Sequence, residues 1–153
     1  MSPEEKLKEL GLVLPALSAP RGSFDAWVID GHMLYLSGKG SPQREDTQQV
    51  PKVGRELSLD EARAHAQQVG LHLIATMKDA LGELARVRRV VKLLGMVNAA
   101  PDFVQHTEVI NGCSDLMVQV FGEAGRHARS AVGVSSLPRG FAVEIEAIVS
   151  FRE

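Results

Sequence analysis

The segment formed by residues 142–151 constrains the fold more strongly than any other part of the sequence. Apolar residues occupy every second position from Val143 to Val149, and Glu144, Glu146 and Ile148 lie between them. This alternation is typical of a β-strand that turns one face toward a core. Because Ile148 lies on the other face, a sheet built around this strand has apolar residues on both sides. Helices are expected to cover one face, and a second subunit is expected to cover the other.

Two capping boxes predict helix starts, at Ser2-Pro3-Glu4-Glu5 and at Ser58-Leu59-Asp60-Glu61. The first predicted helix is short and ends at Gly11. The second carries an apolar stripe at helical spacing and ends at Gly82. A third helix is predicted over about residues 112–123, with Cys113 on its apolar face, where a packed and inert thiol is favoured over a nucleophile.

Strand-like runs cover residues 26–30, 33–37, 87–97 and 130–134, and Asp30-Gly31 predicts a hairpin turn between the first two. Residues 41–55 are polar and predict a surface loop. The order of these elements predicts an α+β fold in which two helices pack on one face of a mixed β-sheet. Residues 1–153 are predicted to form a single domain, with residues 1–22 as an N-terminal helix and loop extension.

The charge balance argues against nucleic acid as a partner. The chain has 17 basic and 19 acidic side chains and a formal net charge of −2, whereas nucleic-acid-binding domains are usually strongly basic. A single cysteine excludes an internal disulfide and a multi-cysteine zinc site, and the five histidines lack metal-ligand spacing. No run approaches the roughly 18 apolar residues of a membrane helix, and no secretory signal is recognised. We therefore expect a cytoplasmic protein with no metal and no membrane partner.

Two charged positions are candidates for chemistry on residue grounds alone. Glu144 and Glu146 project from one strand face, about 7 Å apart. Such a carboxylate serves as a general base or water-orienting group, or it is simply part of a solvated strand face. Arg129 lies between a predicted helix end and a strand start. Its guanidinium is suited to holding a carboxylate through two parallel hydrogen bonds, or it is an ordinary surface arginine.

The C-terminal third closely resembles the closing signature of the Rid family, the YjgF-type reactive-intermediate deaminases that are also called the endoribonuclease L-PSP family. The residues that carry the resemblance are Ala128-Arg129-Ser130-Ala131-Val132, Leu137-Pro138 and Val143-Glu144-Ile145-Glu146-Ala147-Ile148. Earlier matches are Leu36-Ser37-Gly38, the helix that starts at Ser58, Val90-Val91-Lys92, and Asn111 as a helix-start asparagine. The resemblance covers about residues 23–151. Residues 111–133 look most like a sub-branch of the family whose activity is not settled.

The resemblance implies a chorismate-mutase-like α+β fold and a homotrimer whose three sheets line a central barrel. It also implies clefts between subunits that hydrolyse imines and enamines to 2-keto acids and ammonia, without a cofactor. Arg129 corresponds to the family's carboxylate-binding arginine, and Glu144 to its water-activating glutamate. Ser37 and Asn111 fall on other cleft positions.

Three positions depart from the family pattern. Phe24 stands where the family has a tyrosine, Ala131 where it has a cysteine, and Lys39 where it has a glutamine. These positions are expected to contact the substrate, so their departures alter which substrate is held. The leading hypothesis is an imine deaminase acting on a small carboxylate-bearing imine. The alternative is a trimer that binds a small carboxylic acid or keto acid without turnover. Endoribonuclease activity is a third, disfavoured hypothesis, because the chain lacks the basic and aromatic patches that bind RNA.

Overall fold

The computed structural model describes residues 1–41 and 50–153, and this part of the chain is built around a mixed five-stranded sheet. The strands are β1 (Trp27–Asp30), β2 (Met33–Gly40), β3 (Val87–Asn98), β4 (Ala128–Val134) and β5 (Val143–Phe151), in the spatial order β1-β2-β5-β3-β4. Strands β3 and β4 run parallel, and the other neighbours run antiparallel. The C-terminal strand β5 therefore lies at the centre of the sheet, and β4 lies at an edge.

The helices of the described residues are α1 (Pro3–Glu9), α2 (Leu59–Leu81) and α3 (His106–Phe121). Both predicted capping boxes are present, because the Ser2 hydroxyl accepts a hydrogen bond from the Glu5 backbone and Ser58 accepts one from Glu61. Helix α2 ends at Gly82, whose φ of +84° suits glycine. The predicted positions of α1 and α2 are confirmed. None of these helices is long and apolar enough to cross a membrane.

The core lies between the sheet and helices α2 and α3. Val143, Ile145 and Val149 of β5 are fully buried on this side, and burial of each such aliphatic side chain stabilises the fold by about 1.5–3 kcal/mol. Helix α3 approaches β3 closely at Gly95, where an added Cβ would lie 2.6 Å from Cγ1 of Ile110. The glycine therefore fixes how near α3 lies to the sheet.

The other face of the sheet carries apolar side chains that the described helices do not cover. Ile148 pairs with Tyr35 and Lys92, and Tyr35 pairs in turn with Val28, so these residues form one row across the sheet. Val28 is 52% exposed and Tyr35 is 43% exposed. The predicted apolar character of both faces is confirmed, and the subunit expected to cover the second face stays a prediction.

Several predicted boundaries are wrong. Helix α3 begins at His106 instead of near residue 112. The prediction was wrong because the N-cap residue, Gln105, makes no side-chain capping bond, so no capping motif in the sequence marks this helix start. Asn111 therefore lies inside α3 and not at its start. Strand β2 continues beyond its predicted end to Gly40, and β4 begins two residues earlier than predicted, at Ala128.

The predicted surface loop over residues 41–55 is also wrong in part. Residues 42–49 lie outside the described residues. Val53 is fully buried, its backbone N–H donates to the Asn98 carbonyl at 2.9 Å, and its carbonyl accepts from Ala100 at 2.9 Å. These two hydrogen bonds attach the chain around Val53 to the end of β3, and the valine side chain packs into the core there.

Candidate functional site

Arg129 lies near the start of the edge strand β4 and faces helix α3. Its Nη1 donates to Asn111 Oδ1 at 2.8 Å and to Ser114 Oγ at 3.1 Å. Both acceptors are neutral, and no ion pair within residues 1–41 and 50–153 includes Arg129. The guanidinium is half-buried, so it holds a positive charge that these neighbours orient but do not neutralise. Such a group is suited to binding an anion.

Ser114 connects Arg129 to His127. The Ser114 Oγ lies 2.9 Å from His127 Nε2, and His127 Nδ1 lies 2.6 Å from the Gly125 carbonyl oxygen. Because a carbonyl only accepts, the proton resides on Nδ1, and Nε2 accepts the Ser114 hydroxyl proton. Burial lowers the pKa of His127, and nearby arginines, Arg129 foremost, lower that pKa further against the opposing effect of the Gly125 hydrogen bond. The imidazole is therefore held in its neutral form.

A cavity of about 250 Å³ opens beside this chain of hydrogen bonds. Its lining comprises Ser114, Asp115, Val118, Arg126, His127 and Arg129. Two of these residues are arginines, and Asp115 is exposed. The cavity therefore presents positive charge to a small ligand, while the Ser114 hydroxyl is occupied by His127 and Arg129.

Glu144 lies on the opposite, uncovered face of the sheet. An added Cβ at Gly38 would lie 2.8 Å from Glu144 Oε2, so the carboxylate rests directly over the glycine backbone. Burial raises the pKa of Glu144, and the neighbouring Glu146 raises that pKa further. A half-buried carboxylate with a raised pKa is suited to taking a proton and returning it.

A β-bulge in β2 shapes the backbone beside Glu144. Leu36 pairs with Ala147 and Lys39 pairs with Ile145, so Ser37 and Gly38 together oppose one residue of β5. The bulge turns Lys39 toward the helix-covered face. There its charge is a secondary cause, after burial, of the lowered pKa of His72. Lys39 therefore does not share the face of Glu144.

The remaining predicted site residues lie in two places, at β1 and β2 and on the edge strand β4. Ser37 donates its hydroxyl to the Asp25 carbonyl at 2.6 Å, which fixes the chain just before β1. Phe24, which immediately precedes Asp25, is 55% exposed. Ala131 pairs with Gly95 and faces α3, as Arg129 does two residues earlier. It is partly buried and packs against the hydrophobic core.

Within one chain, Arg129 and Glu144 do not meet. Arg129 pairs with Leu93, which faces the helices, whereas Glu144 pairs with Met96 on the uncovered face. The structure brings Asn111 and Ala131 to the side of Arg129, and Gly38 to the side of Glu144. Ser114 and His127 are additions that sequence reasoning missed. The sequence does hold a signal for these two residues. Positions 111 and 114 are three apart and share one face of a helix, and positions 127 and 129 are two apart and point to the same side of an extended chain.

Other ionisable side chains offer less. Burial raises the pKa of Cys113 to about 12, so its thiol stays protonated and inert, as predicted from its place on the apolar stripe. Among the residues that the structure describes, no group of three histidine, cysteine, aspartate or glutamate side chains is arranged to hold a metal ion.

The sheet order, the three helices and the position of the arginine define an α+β protein of the chorismate-mutase-like type. Residues 4–142 match the family described as YjgF/chorismate-mutase-like, putative endoribonuclease. The chain belongs to this family, and the resemblance seen in the sequence is confirmed.

Similar proteins extend over nearly the whole chain. Protein TCP17 of Trypanosoma cruzi is 43% identical over 144 residues, which cover 94% of this chain and 90% of TCP17. The crystal structure of Atu1372, a protein with unknown function from Agrobacterium tumefaciens, is 41% identical with a TM-score of 0.85, covering 98% of this chain and 94% of that one. A putative endoribonuclease from Shewanella oneidensis is 28% identical with a TM-score of 0.91, covering 99% of this chain and 100% of that one.

Proposed function

We propose that this protein hydrolyses small carboxylate-bearing imines and enamines to 2-keto acids and ammonia, in a cleft shared by adjacent copies of a homotrimer. The observation that carries the proposal is the half-buried Arg129 guanidinium. Asn111 and Ser114 orient it, and no described carboxylate pairs with it. A ligand carboxylate supplies the missing negative charge and accepts from the guanidinium donors that remain.

Glu144 supplies the acid and base steps. In the iminium form of the substrate the carbon is already electrophilic, so a positioned water and one proton acceptor are sufficient. As the water oxygen bonds to this carbon, Glu144 takes a water proton and a tetrahedral amino alcohol forms. Glu144 then returns the proton to nitrogen, the C–N bond breaks, and ammonia leaves with the bonding electron pair. The remaining hydroxyl gives its proton to the Glu144 carboxylate, which releases it to the solvent, and the keto acid is formed. The raised pKa of Glu144 suits this exchange, and no cofactor enters the balance.

A second copy of the chain is needed because Arg129 and Glu144 lie on opposite faces of one sheet. The uncovered face carries the apolar row that includes Val28, Tyr35 and Ile148, and burying that row against another copy is favourable. In this arrangement Glu144, Ser37 and Phe24 come from one subunit. Arg129, Asn111 and Ala131 come from the next. The ring closes after three copies in the trimer that the family resemblance implies.

Binding of a small carboxylic acid without turnover is the second candidate. It is favoured by one observation: the anion-binding half of the site is complete within a single chain, from His127 through Ser114 to Arg129, whereas the Glu144 half is not beside it. In that case the protein is a sensor or carrier of keto acids. RNA cleavage is not proposed, because the chain carries a net charge of −2, whereas nucleic-acid-binding domains are usually strongly basic.

An imine-hydrolysis assay tests the proposal. An amino-acid oxidase generates the imine, and keto-acid release is followed with the spontaneous rate subtracted. We expect wild-type protein to accelerate release and Arg129→Ala to lower kcat/KM about 100-fold, the size of effect expected when one partner of a charged pair is removed. Arg88→Ala, which removes an exposed arginine of β3, is the matched control and is expected to behave as wild type.

The two candidate functions give different results. Wild-type protein that leaves the spontaneous rate unchanged contradicts hydrolysis. If the same protein is stabilised against heat by 2-oxobutanoate, and Arg129→Ala loses that stabilisation, the binding function is supported instead.

A further inference from the structure

We propose that Ser114 and His127 are positioning residues for Arg129: His127 holds the Ser114 hydroxyl, and Ser114 holds the guanidinium in the orientation that receives the ligand carboxylate. The inference rests on the proposed role of Arg129 as the anion-binding group. It adds two residues that do not touch the substrate and act through the arginine.

The direction of each hydrogen bond follows from the chemistry of its partners. The Gly125 carbonyl only accepts, so His127 Nδ1 donates to it across 2.6 Å. His127 Nε2 is then an acceptor, and the one hydroxyl proton of Ser114 points to it across 2.9 Å. The lone pairs of Ser114 Oγ consequently face Arg129, whose Nη1 donates across 3.1 Å. The chain of bonds has one consistent direction, from the arginine to the Gly125 carbonyl.

This arrangement is specific to the side chains present. A serine in the middle of a helix commonly bonds back to the carbonyl four residues earlier, as Thr76 of α2 does to His72 at 2.9 Å. Ser114 instead bonds outward to His127 of the segment before β4 and to Arg129 of β4. Ser114 therefore links α3 to the edge strand at the point where the arginine begins.

The same contacts restrict the arginine. Asn111 and Ser114 both accept from Nη1, from positions one helical turn apart on α3. With Nη1 occupied on two sides, the rotation of the guanidinium is limited, and its other nitrogens remain for a ligand. An arginine fixed in this way loses less freedom when it binds a planar carboxylate.

The neutral state of His127 completes the argument. The groups around the imidazole are Arg129 of β4, Arg126 of the segment before it and Arg89 of β3, with the Gly125 carbonyl on Nδ1. Asp115 of α3 lines the same cavity. Three cations disfavour a further positive charge, so Nε2 stays free to accept the serine proton at neutral pH.

The test uses two substitutions at each positioning residue, with Arg129→Ala and His32→Gln for comparison, and measures binding apart from turnover. The dissociation constant of 2-oxobutanoate is measured by calorimetry on the full-length protein, and KM and kcat are measured in the imine assay. Ser114→Ala is expected to raise the dissociation constant and KM about tenfold, because it removes one hydrogen bond to a charged group, while kcat changes less than about twofold. Ser114→Thr keeps the hydroxyl and is expected to retain the wild-type dissociation constant and KM.

His127→Gln and His127→Asn form a matched pair. The glutamine oxygen reaches the position of Nε2 and accepts the Ser114 proton, whereas the shorter asparagine does not reach it. We expect near wild-type binding with His127→Gln and about tenfold weaker binding with His127→Asn. Thermal unfolding of each variant shows whether it folds, and His32→Gln controls for the loss of an exposed imidazole elsewhere.

The possible failures are distinguishable. If Arg129→Ala binds 2-oxobutanoate as wild type does, the proposed function of the arginine is wrong. If Arg129→Ala abolishes binding but Ser114→Ala leaves it unchanged, or if the two His127 variants behave alike, the positioning role is wrong. A ¹⁵N spectrum that places the His127 proton on Nε2 at neutral pH also overturns it, independently of any ligand.

Discussion

A single methyl group at Gly38 is expected to disable Glu144 without unfolding the protein. An added Cβ would lie 2.8 Å from Oε2 and 3.2 Å from both Cδ and Cγ of Glu144. To reach an ordinary contact of 3.4 Å the carboxylate must move by about 0.6 Å. Since a misplacement of about 1 Å costs on the order of 100-fold in rate, we expect Gly38→Ala to lower kcat by about 10- to 100-fold, or roughly 1.4–2.7 kcal/mol in the activation barrier.

The stability of this variant is expected to change little. The clashing atoms belong to the end of a flexible, half-buried side chain, and Gly38 does not have a positive φ. Alanine also reduces the freedom of the unfolded chain, so the free energy of unfolding should stay within about 1 kcal/mol of wild type. Urea unfolding measures this term separately from the imine assay.

A double-mutant cycle supplies the control for Gly38→Ala. In a Glu144→Gln background the acid–base function is already lost, so Gly38→Ala should cause almost no further loss of kcat. If the two substitutions lower kcat independently, or if Gly38→Ala retains wild-type kcat, then the carboxylate above this glycine does not perform the proton transfer and the reasoning is refuted.

Three further outcomes are expected. Burial and Glu146 both raise the pKa of Glu144, so kcat should fall as the pH drops through that raised pKa. Glu146→Gln removes one of the two causes and should move the acidic limb of the pH–rate profile to lower pH. An acidic limb that does not move contradicts this prediction. Cys113, with its pKa raised to about 12, should resist iodoacetamide at pH 8 in the folded protein and react only after unfolding, as mass spectrometry will show. Ile145→Ala, at a fully buried position at the centre of the sheet, should lower the free energy of unfolding by about 2–5 kcal/mol, whereas a loss below about 1 kcal/mol in urea titration would place that side chain outside the core.

The sequence was most informative where the signal is local. The capping boxes at Ser2 and Ser58 and the alternation around Ile148 each depend on neighbouring residues, and the structure confirms all three. The start of α3 was missed because Gln105 forms no side-chain cap. The attachment of Val53 to the end of β3 depends on a contact between segments that are distant in sequence. The polar residues 41–55 therefore contain no local pattern that predicts it.

In the candidate site, too, single residues can be predicted from the sequence, whereas their arrangement depends on contacts between distant segments. Residue type and local position indicate Arg129 and Glu144 as candidates, and the resemblance to a family gives each a role, but their placement on opposite faces depends on how β4 and β5 pair with β3. The roles of Ser114 and His127 depend on α3 packing against the segment before β4. The bulge at Ser37 and Gly38 is a register shift between two strands, and the sequence of one strand does not determine it.

Subunit mixing tests the shared site most directly. Arg129→Ala and Glu144→Gln are each expected to retain only a small fraction of wild-type activity alone. When the two variants are mixed through unfolding and refolding, every mixed trimer has one junction at which an intact arginine meets an intact glutamate, so about one third of its clefts are restored and an equal mixture recovers roughly a quarter of wild-type activity. A mixture as inactive as its components, or a light-scattering mass equal to the 16.6 kDa of a single chain, would contradict a site built from two subunits.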